Sequence, residues 1–155
     1  MSDPYDLQRF VDAQDAGDTY VGALRELRGG YKRGHWMWFV FPQIAGLGWS
    51  SMSQRFAISG LPEAAAYLAH PVLGPRLLEC AGVLAGLPDT DPGKVLGSPD
   101  DKKLKSSMTL FLVAAPHEEI FREVLDHYFA GETDDATTSL VARDSPRPTG
   151  DPSSN

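Results

Sequence analysis

Residues 35–43 read HWMWFVFPQ, in which six consecutive apolar residues, Trp36 to Phe41, stand between a histidine and a Pro-Gln pair. A run this apolar is expected to be buried, so the rest of the chain has to pack around it. Unbroken apolarity suits either a short buried helix or a buried strand, and periodicity alone does not separate the two. We favour a helix, because no alternating partner strand is evident elsewhere in the sequence.

Helical periodicity flanks the run on both sides. The first helix is expected to begin at Asp3-Pro4, where an acidic capping residue precedes a proline suited to the first helical position. The clearest amphipathic helix extends from Ser98 to Val113, and the polar stretch 88–93 before it is predicted to be an exposed loop. The predicted fold class is mainly α: a compact single-domain multi-helix bundle of about seven or eight helices.

The chain length and its last residues set the expected domain boundaries. A chain of 155 residues has a typical single-domain length and buries about 70% of the surface of its unfolded form. One helical domain is therefore expected over residues 1–143. Residues 144–155 contain no large apolar side chain and are predicted to form a disordered tail.

Charge and cysteine content limit the partners and the compartment. A formal net charge of -7 repels phosphate backbones, which argues against binding to a nucleic acid polymer. Cys80 is the only cysteine, so a disulfide within the chain is excluded and a reducing, cytoplasmic location is expected. The N-terminus shows no signal-peptide pattern, and the longest apolar run is too short for a membrane span, so no membrane association is predicted.

The first candidate site is a basic cluster that leads into the aromatic run. Arg33 and His35 follow further basic residues and two glycines, and Trp36 and Trp38 come directly after them. Guanidinium groups bind phosphate or carboxylate, and indole rings stack on bases or sugars, so the cluster predicts a pocket for a small anionic ligand. The alternative is that the basic residues are a solvated helix face and that the tryptophans belong to the core.

The second candidate consists of the two polar ends of the run, His35 and Gln43. A histidine can act as a general base near neutral pH, and a glutamine can orient a substrate amide or a water molecule. Alternatively, each side chain satisfies a buried backbone group. His35 is the best single candidate for acid–base catalysis.

The third candidate lies on the predicted helix that begins near Ser98. Lys103 and Ser107 are four residues apart and share a face, which is one arrangement that activates a hydroxyl nucleophile. Ser106 and Thr109 lie within the same two turns. The alternative is an ordinary exposed or packing role for these side chains.

No metal site or cofactor is predicted. The four histidines are scattered and show no metal-ligand spacing, and no glycine-rich phosphate-binding loop is present.

Four segments resemble one bacterial family: HWMWFVFPQ at 35–43, AGLG at 45–48, YLAHPVLGPRLLEC at 67–80 and PDDKKLKSSMTLF at 99–111. It is a domain-of-unknown-function family that is often labelled calpastatin and includes a mycobacterial protein. The resemblance implies a compact helical domain and brings no established activity. The calpastatin label fits poorly, because calpastatin is disordered whereas this composition is that of a packed core. The characteristic residues of the family are here His35, Trp36, Trp38, Pro42, Gln43, Gly48, His70, Gly74, Arg76, Asp101, Lys103, Ser106, Ser107 and Thr109.

The order of an LG-R segment, a lysine-containing helix and a terminal helix is also similar to helical proteins that process ADP-ribose adducts and NAD-derived metabolites. Two functions are therefore kept open. One is the binding or processing of a nucleotide or ADP-ribose-like anion, with His35 and Lys103 as candidate catalytic residues. The candidate ligand-binding residues are then Arg33, Trp36, Trp38, Gln43, Arg76, Asp101, Ser106, Ser107 and Thr109. The other function is a non-enzymatic module for protein interaction or self-association.

Overall fold

The computed structural model describes residues 2–144, and the helices in it follow the apolar stripes of the sequence. The helices, with a 3₁₀ turn at Ala16–Asp18 between the first two, are α1 Gln8–Asp15, α2 Thr19–Arg28, α3 Met37–Val40, α4 Ser51–Arg55, α5 Leu61–Ala69, α6 Leu73–Gly86, α7 Pro92–Leu96, α8 Asp100–Ala114, α9 Glu119–Phe129 and α10 Asp135–Asp144. The predicted mainly α, single-domain fold is confirmed.

Helix α8 lies at the centre and packs against α5, α7, α9 and α10. Its residues from Ser106 to Leu112 are all buried, because other helices cover the central part of α8 on several sides. A chain of aromatic contacts links it to the rest of the core: Tyr67 lies between Phe10 and Phe111, with ring centroids 5.1 Å and 5.4 Å away. Large buried rings of this kind contribute much of the hydrophobic stabilisation of a small domain.

The aromatic run forms a helix, as favoured, but α3 is only four residues long. Pro42 explains its end, because a proline disfavours the helical conformation in the residue before it, and Phe41 has φ -124° and ψ 74°. The chain then extends, and Ile44 forms an isolated parallel bridge with Ile58, the only β-type pairing found within residues 2–144. This bridge joins the segment before α4 to the segment after it.

Two local predictions were wrong. Helix α1 begins at Gln8 rather than near Pro4, although the Asp3 carboxylate still accepts hydrogen bonds from the backbone N–H groups of Leu7 and Gln8, at 2.8 Å and 3.0 Å. The predicted loop at 88–93 runs into α7, a helix that the sequence interpretation missed. The carboxylate of Asp91 caps this helix by accepting from the N–H of Gly93 at 2.9 Å.

The tail predicted for residues 144–155 lies outside the described residues, apart from Asp144, where α10 ends. Among the helices of residues 2–144, none has the length and apolar character needed to cross a membrane.

Candidate functional site

Glu26 on α2 positions the chain that leads into the aromatic run. Its Oε1 accepts hydrogen bonds from the backbone N–H groups of Arg33 and Gly34, at 2.8 Å and 2.9 Å, and from the indole N–H of Trp36 at 3.0 Å. Burial acts to raise the pKa of Glu26, but these hydrogen bonds to the charged form outweigh it, and the pKa lies below its usual value. Trp36 is thereby held in the core, 2% exposed.

Gly34 is required for this arrangement. A Cβ atom at this position would lie 2.9 Å from Cδ1 of Trp36, closer than non-bonded carbon atoms approach. Any larger residue would therefore displace the Trp36 indole from Glu26. The glycine lets the chain turn tightly from α2 toward α3.

One carboxylate on α8 bridges two lysines beside this turn. Asp100 accepts from Lys32 Nζ at 2.7 Å through one oxygen, and its other oxygen lies 3.4 Å from Lys103 Nζ. Lys32 also donates to the carbonyl of Gly34, and its side chain is only 6% exposed. Lys103 is less constrained, because its remaining contact is with the face of Trp38, 4.7 Å from the ring centroid.

A cavity of about 350 Å³ opens over these groups. Three cationic side chains and one carboxylate line it, so its lining has a formal excess of positive charge although the whole chain is acidic. His35 is exposed at its edge. The lining residues are Lys32, Arg33, Gly34, His35, Met37, Trp38, Leu96, Ser98, Pro99, Asp100 and Lys103.

Two further cavities adjoin the first one, and we call the three together the Trp38 groove. The second measures about 230 Å³ and shares Lys103 with the first; the third measures about 180 Å³ and shares Trp38 with it. The second cavity is lined by Gln43, Leu47, Gly48, Ser53, Pro99, Lys102, Lys103, Ser106, Asp134 and Ala136. The third is lined by Trp38, Gln43, Ile44, Ala45, Gly46, Leu47, Gly48, Ser53, Gln54, Phe56 and Ala57.

The groove brings together six of the eleven candidate catalytic and ligand-binding residues: Arg33, His35, Trp38, Gln43, Lys103 and Ser106. They come from the turn after α2, from α3 and its C-terminal extension, and from α8. The two candidate catalytic residues, His35 and Lys103, line the same cavity. Ser106 is the most constrained of the six, since its hydroxyl contacts the Lys102 carbonyl at 3.2 Å and Asp134 at 3.3 Å.

The other five lie outside the groove. Trp36 is in the core, and Arg76 on α6 pairs with Asp15 at 2.8 Å. Thr109 is buried and bridges the Lys105 carbonyl and the N–H of Asp134. Asp101 lies in the first turn of α8 and lines none of the three cavities. Its neighbour Asp100 lines the first cavity instead.

Ser107 is completely buried, and its hydroxyl is the only fully buried side-chain polar atom in the described part of the chain without a hydrogen-bond partner. It lies one turn beyond Lys103 on α8, as the spacing predicts. The hydroxyl has no solvent-accessible surface, so a substrate cannot contact a Ser107–Lys103 nucleophile in this geometry.

Sequence reasoning missed several lining residues, above all Asp100 and Ser53. The family resemblance drew attention to Asp101, whereas the three-residue spacing between Asp100 and Lys103 was the signal that could have identified the ion pair. No local signal marks Ser53, which reaches the groove because the backbone of Gly48 packs against it. A Cβ atom at Gly48 would lie 2.5 Å from the Ser53 hydroxyl oxygen.

The chain matches a family model over residues 4–141, and the model is described as Protein of unknown function (DUF1810). The chain belongs to the DUF1810 family. The matched range covers all ten helices except the last residues of α10, and with them every residue of the groove. The family description names no activity and does not mention calpastatin, so that label is not confirmed.

Among solved structures, the chain is similar to the conserved hypothetical protein Rv1873 from Mycobacterium tuberculosis, whose crystal structure was determined at 1.38 Å. The two are 49% identical, with a TM-score of 0.87, and the match covers 90% of this chain and 99% of the other. The DUF1810 fold is thus also that of a solved mycobacterial protein. A search of the curated proteins finds no match.

Proposed function

We propose that the chain binds a small anionic ligand with a planar group, such as a nucleotide or an ADP-ribose-like molecule, in the Trp38 groove. The observation that carries the proposal is the cavity that concentrates Lys32, Arg33 and Lys103 in a protein of net charge -7. Cations gathered in a concave site favour small anions, while the overall negative charge still disfavours a nucleic acid polymer.

Lys103 is the cation best placed to contact the ligand. Lys32 already has two close oxygen partners and is almost fully buried, so its role is to hold Asp100. The ammonium of Lys103 lies farther from Asp100 and is 19% exposed, so it can turn toward a phosphate at a small cost. Phosphate oxygens would then replace Asp100 as the partner of the Lys103 ammonium, while the shorter contact between Lys32 and Asp100 remains.

Trp38 and Gln43 supply the recognition of a planar group. Trp38 is partly buried and belongs to two of the cavities, so one part of its ring borders open space. The side-chain amide of Gln43 makes no hydrogen bond to any described residue and borders two cavities. An indole face and an unpaired amide are the groups that read a heteroaromatic ring in small-molecule sites.

Catalysis is a further part of the proposal. If the ligand is a substrate, His35 is the group that would transfer a proton, and Lys103 would stabilise negative charge that develops on the ligand. His35 is exposed, so a bound ligand would have to bring its reacting atom within hydrogen-bond distance of the imidazole.

A thermal-shift screen of nucleotides, ADP-ribose and sugar phosphates tests the proposal. A ligand at 100 times its Kd adds about 2.7 kcal/mol of stability, which raises the Tm of a domain of this size by about 5–10 °C. Lys103→Met should abolish most of the shift, whereas Lys94→Met, at an exposed position on α7 outside the groove, should retain it. A screen without any shift, or a shift that Lys103→Met leaves intact, would contradict the proposal.

One observation favours the second function, a surface for a protein partner or for self-association. Trp49 is 83% exposed, and large apolar side chains with this exposure are often found at interfaces. Size-exclusion chromatography with light scattering over a range of concentrations separates the two functions, because a constant monomer mass would count against self-association.

We also infer a cytoplasmic location from Cys80. The thiol is fully buried, and burial raises its pKa to about 12, so it is an inert core residue that needs no oxidising compartment. Fractionation with a tagged full-length chain tests this, and recovery from the membrane or secreted fraction would overturn it.

A further inference from the structure

Trp49 has the most exposed large apolar side chain in the described part of the chain, and it stands next to the groove. At 83% exposure it leaves nearly the whole indole in water, whereas a buried tryptophan removes about 150–250 Å² from solvent. Trp36 and Trp38 both have a lysine ammonium over their rings. No such contact, and no ring contact, is made by Trp49 with another residue of the range 2–144.

The backbone around Trp49 is nevertheless held in place. The Trp49 carbonyl accepts a hydrogen bond from Nε2 of Gln54 at 3.0 Å, and the next residue, Ser50, caps α4 by accepting from the N–H of Ser53 at 3.1 Å. On the other side, Gly48 packs tightly against Ser53. A fixed backbone therefore carries an indole that has no partner of its own.

This fixed backbone forms the rim of the groove. Gly48 directly precedes Trp49 and lines the second and third cavities. Gln54, which donates to the Trp49 carbonyl, lines the third cavity. Trp38 lines the third cavity from the side of α3. The Trp49 side chain is attached to this rim, and with 83% of it exposed it can change rotamer without displacing packed neighbours.

We propose that Trp49 closes over the third cavity and stacks on a heteroaromatic ring of the ligand, with Trp38 on the other side of that ring. The ligand class is then a nucleoside diphosphate or a molecule of the same plan, with its base between the two indoles and its phosphates near Lys103 and Arg33. This inference rests on the proposed function, and it adds a residue that binds the base. Stacking on two indoles suits any planar base and removes the exposed Trp49 surface from water.

Calorimetric titration with three probes tests the inference: adenosine 5′-diphosphate, inorganic pyrophosphate and adenosine. The proteins are wild type, Trp49→Ala, Trp49→Phe and, as a control for an exposed apolar side chain elsewhere, Val21→Ala, which is 54% exposed in the wild type and outside the groove. The wild type should bind the diphosphate about tenfold or more tightly than pyrophosphate, since one stacked base contributes about this factor.

Trp49→Ala should lose about that tenfold factor for the diphosphate and leave pyrophosphate binding unchanged. Trp49→Phe should retain most of the affinity, because a phenyl ring still stacks, and Val21→Ala should behave as wild type. Equal diphosphate affinity in wild type and Trp49→Ala would overturn the inference, as would an equal loss for pyrophosphate. A concentration-dependent dimer that Trp49→Ala abolishes, with unchanged diphosphate affinity, would also overturn it and assign Trp49 to a second copy of the chain.

The two failures can be told apart. If no probe binds the wild type, the proposed function fails and the inference fails with it. If pyrophosphate and the diphosphate bind with equal affinity and Trp49→Ala changes neither, the anion site stands and the inference alone is overturned.

Discussion

Two polar regions of the molecule contain residues that the sequence marks as ligand-binding. They differ in whether the protein itself already supplies hydrogen-bond and ion-pair partners for the polar side chains. The first, which we call the Gln14 cluster, consists of Gln14, Asp15, Tyr20, Tyr67 and Arg76. There the Gln14 amide donates to the Phe39 carbonyl at 2.7 Å, and its oxygen accepts from Arg76 at 3.1 Å. The second region is the Trp38 groove. A polar side chain that the protein leaves unsatisfied or weakly paired is more available to a ligand than one whose hydrogen bonds are complete.

The Gln14 cluster is closed in this sense. Arg76 pairs with Asp15 at 2.8 Å and lies 4.6 Å above the ring of Tyr20, and Tyr20 donates to Glu79 at 2.5 Å. Burial raises the pKa of Tyr20 and of Tyr67, so both phenols stay protonated and act as structural donors. In the groove, by contrast, the side-chain amide of Gln43 makes no hydrogen bond to any described residue, and the nearest carboxylate oxygen to the Lys103 ammonium is 3.4 Å away.

The largest expected effect is that of Gln14→Ala. The change removes two hydrogen bonds of the buried Gln14 side chain and leaves the Phe39 carbonyl with only the long contact from the Tyr67 hydroxyl at 3.5 Å, so we expect a loss of about 3 kcal/mol in the free energy of unfolding. Thermal and urea unfolding measure it. Gln43→Ala is the matched control in the groove and should change stability by less than about 0.5 kcal/mol. Equal losses in the two variants would remove the distinction between the closed and the open region.

Arg76→Ala sharpens the comparison from the side of binding. It removes a hydrogen bond, an ion pair and a contact with Tyr20, so we expect a stability loss of about 1.5 kcal/mol. Ligand affinity should be unchanged at a temperature where the variant is folded. Arg33→Ala should show the reverse, with affinity lowered about tenfold and little change in unfolding. A loss of ligand affinity in Arg76→Ala would contradict this and show that Arg76 takes part in ligand binding.

Glu26→Gln should have a smaller and pH-dependent effect. Glutamine can still accept the three hydrogen bonds but lacks the charge, so we expect a loss of about 1 kcal/mol at pH 7. Because the pKa of folded Glu26 lies below its usual value, the stabilisation by its charge is present above the unfolded pKa and disappears as the pH falls through the folded pKa. Urea unfolding of both proteins from pH 7 to pH 3 should therefore show the difference shrinking toward low pH. A difference that stays constant would contradict the assigned role of the carboxylate.

Ser107→Ala is expected to have the smallest effect. Its buried hydroxyl has no partner, so its removal should leave stability unchanged or raise it by up to about 1 kcal/mol. Ligand affinity should not change, because the side chain lines none of the three cavities. A clear loss of affinity would show that the ligand reaches deeper along α8 than the groove does.

Much of the fold follows from local patterns. The apolar stripe of α8 and the proline after the aromatic run act within a few residues, so the central helix and the end of α3 could be predicted. Helix α7 was missed because five residues show little periodicity, although Asp91 before Pro92 is a capping signal. The apolar run did not reveal that α3 begins only at Met37 and is therefore four residues long.

The candidate site could be predicted only in part, because its composition depends on contacts between distant segments. Trp36 and Trp38 are equivalent in the sequence, yet Glu26, on a separate helix, takes the indole N–H of Trp36 and leaves Trp38 to border the cavities. Arg76 and Arg33 likewise differ in a way that the local sequence does not show. Arg76 is bound by Gln14, which lies 62 residues away in the sequence, whereas Arg33 lines the groove. Spacing within one helix identified Lys103, since its position on α8 is a local property.

The three tryptophans provide the most direct test of the central claim, that the ligand binds in the Trp38 groove. Each gives one indole N–H signal in a ¹⁵N–¹H spectrum, and tryptophan-to-phenylalanine variants assign them. On titration with adenosine 5′-diphosphate, the signal of Trp38 should shift, accompanied by that of Trp49, while the signals of Trp36 and of the Gln14 side-chain amide stay in place. Three unmoved indole signals at millimolar ligand, or a shift of Trp36 together with Gln14 while Trp38 stays in place, would contradict it.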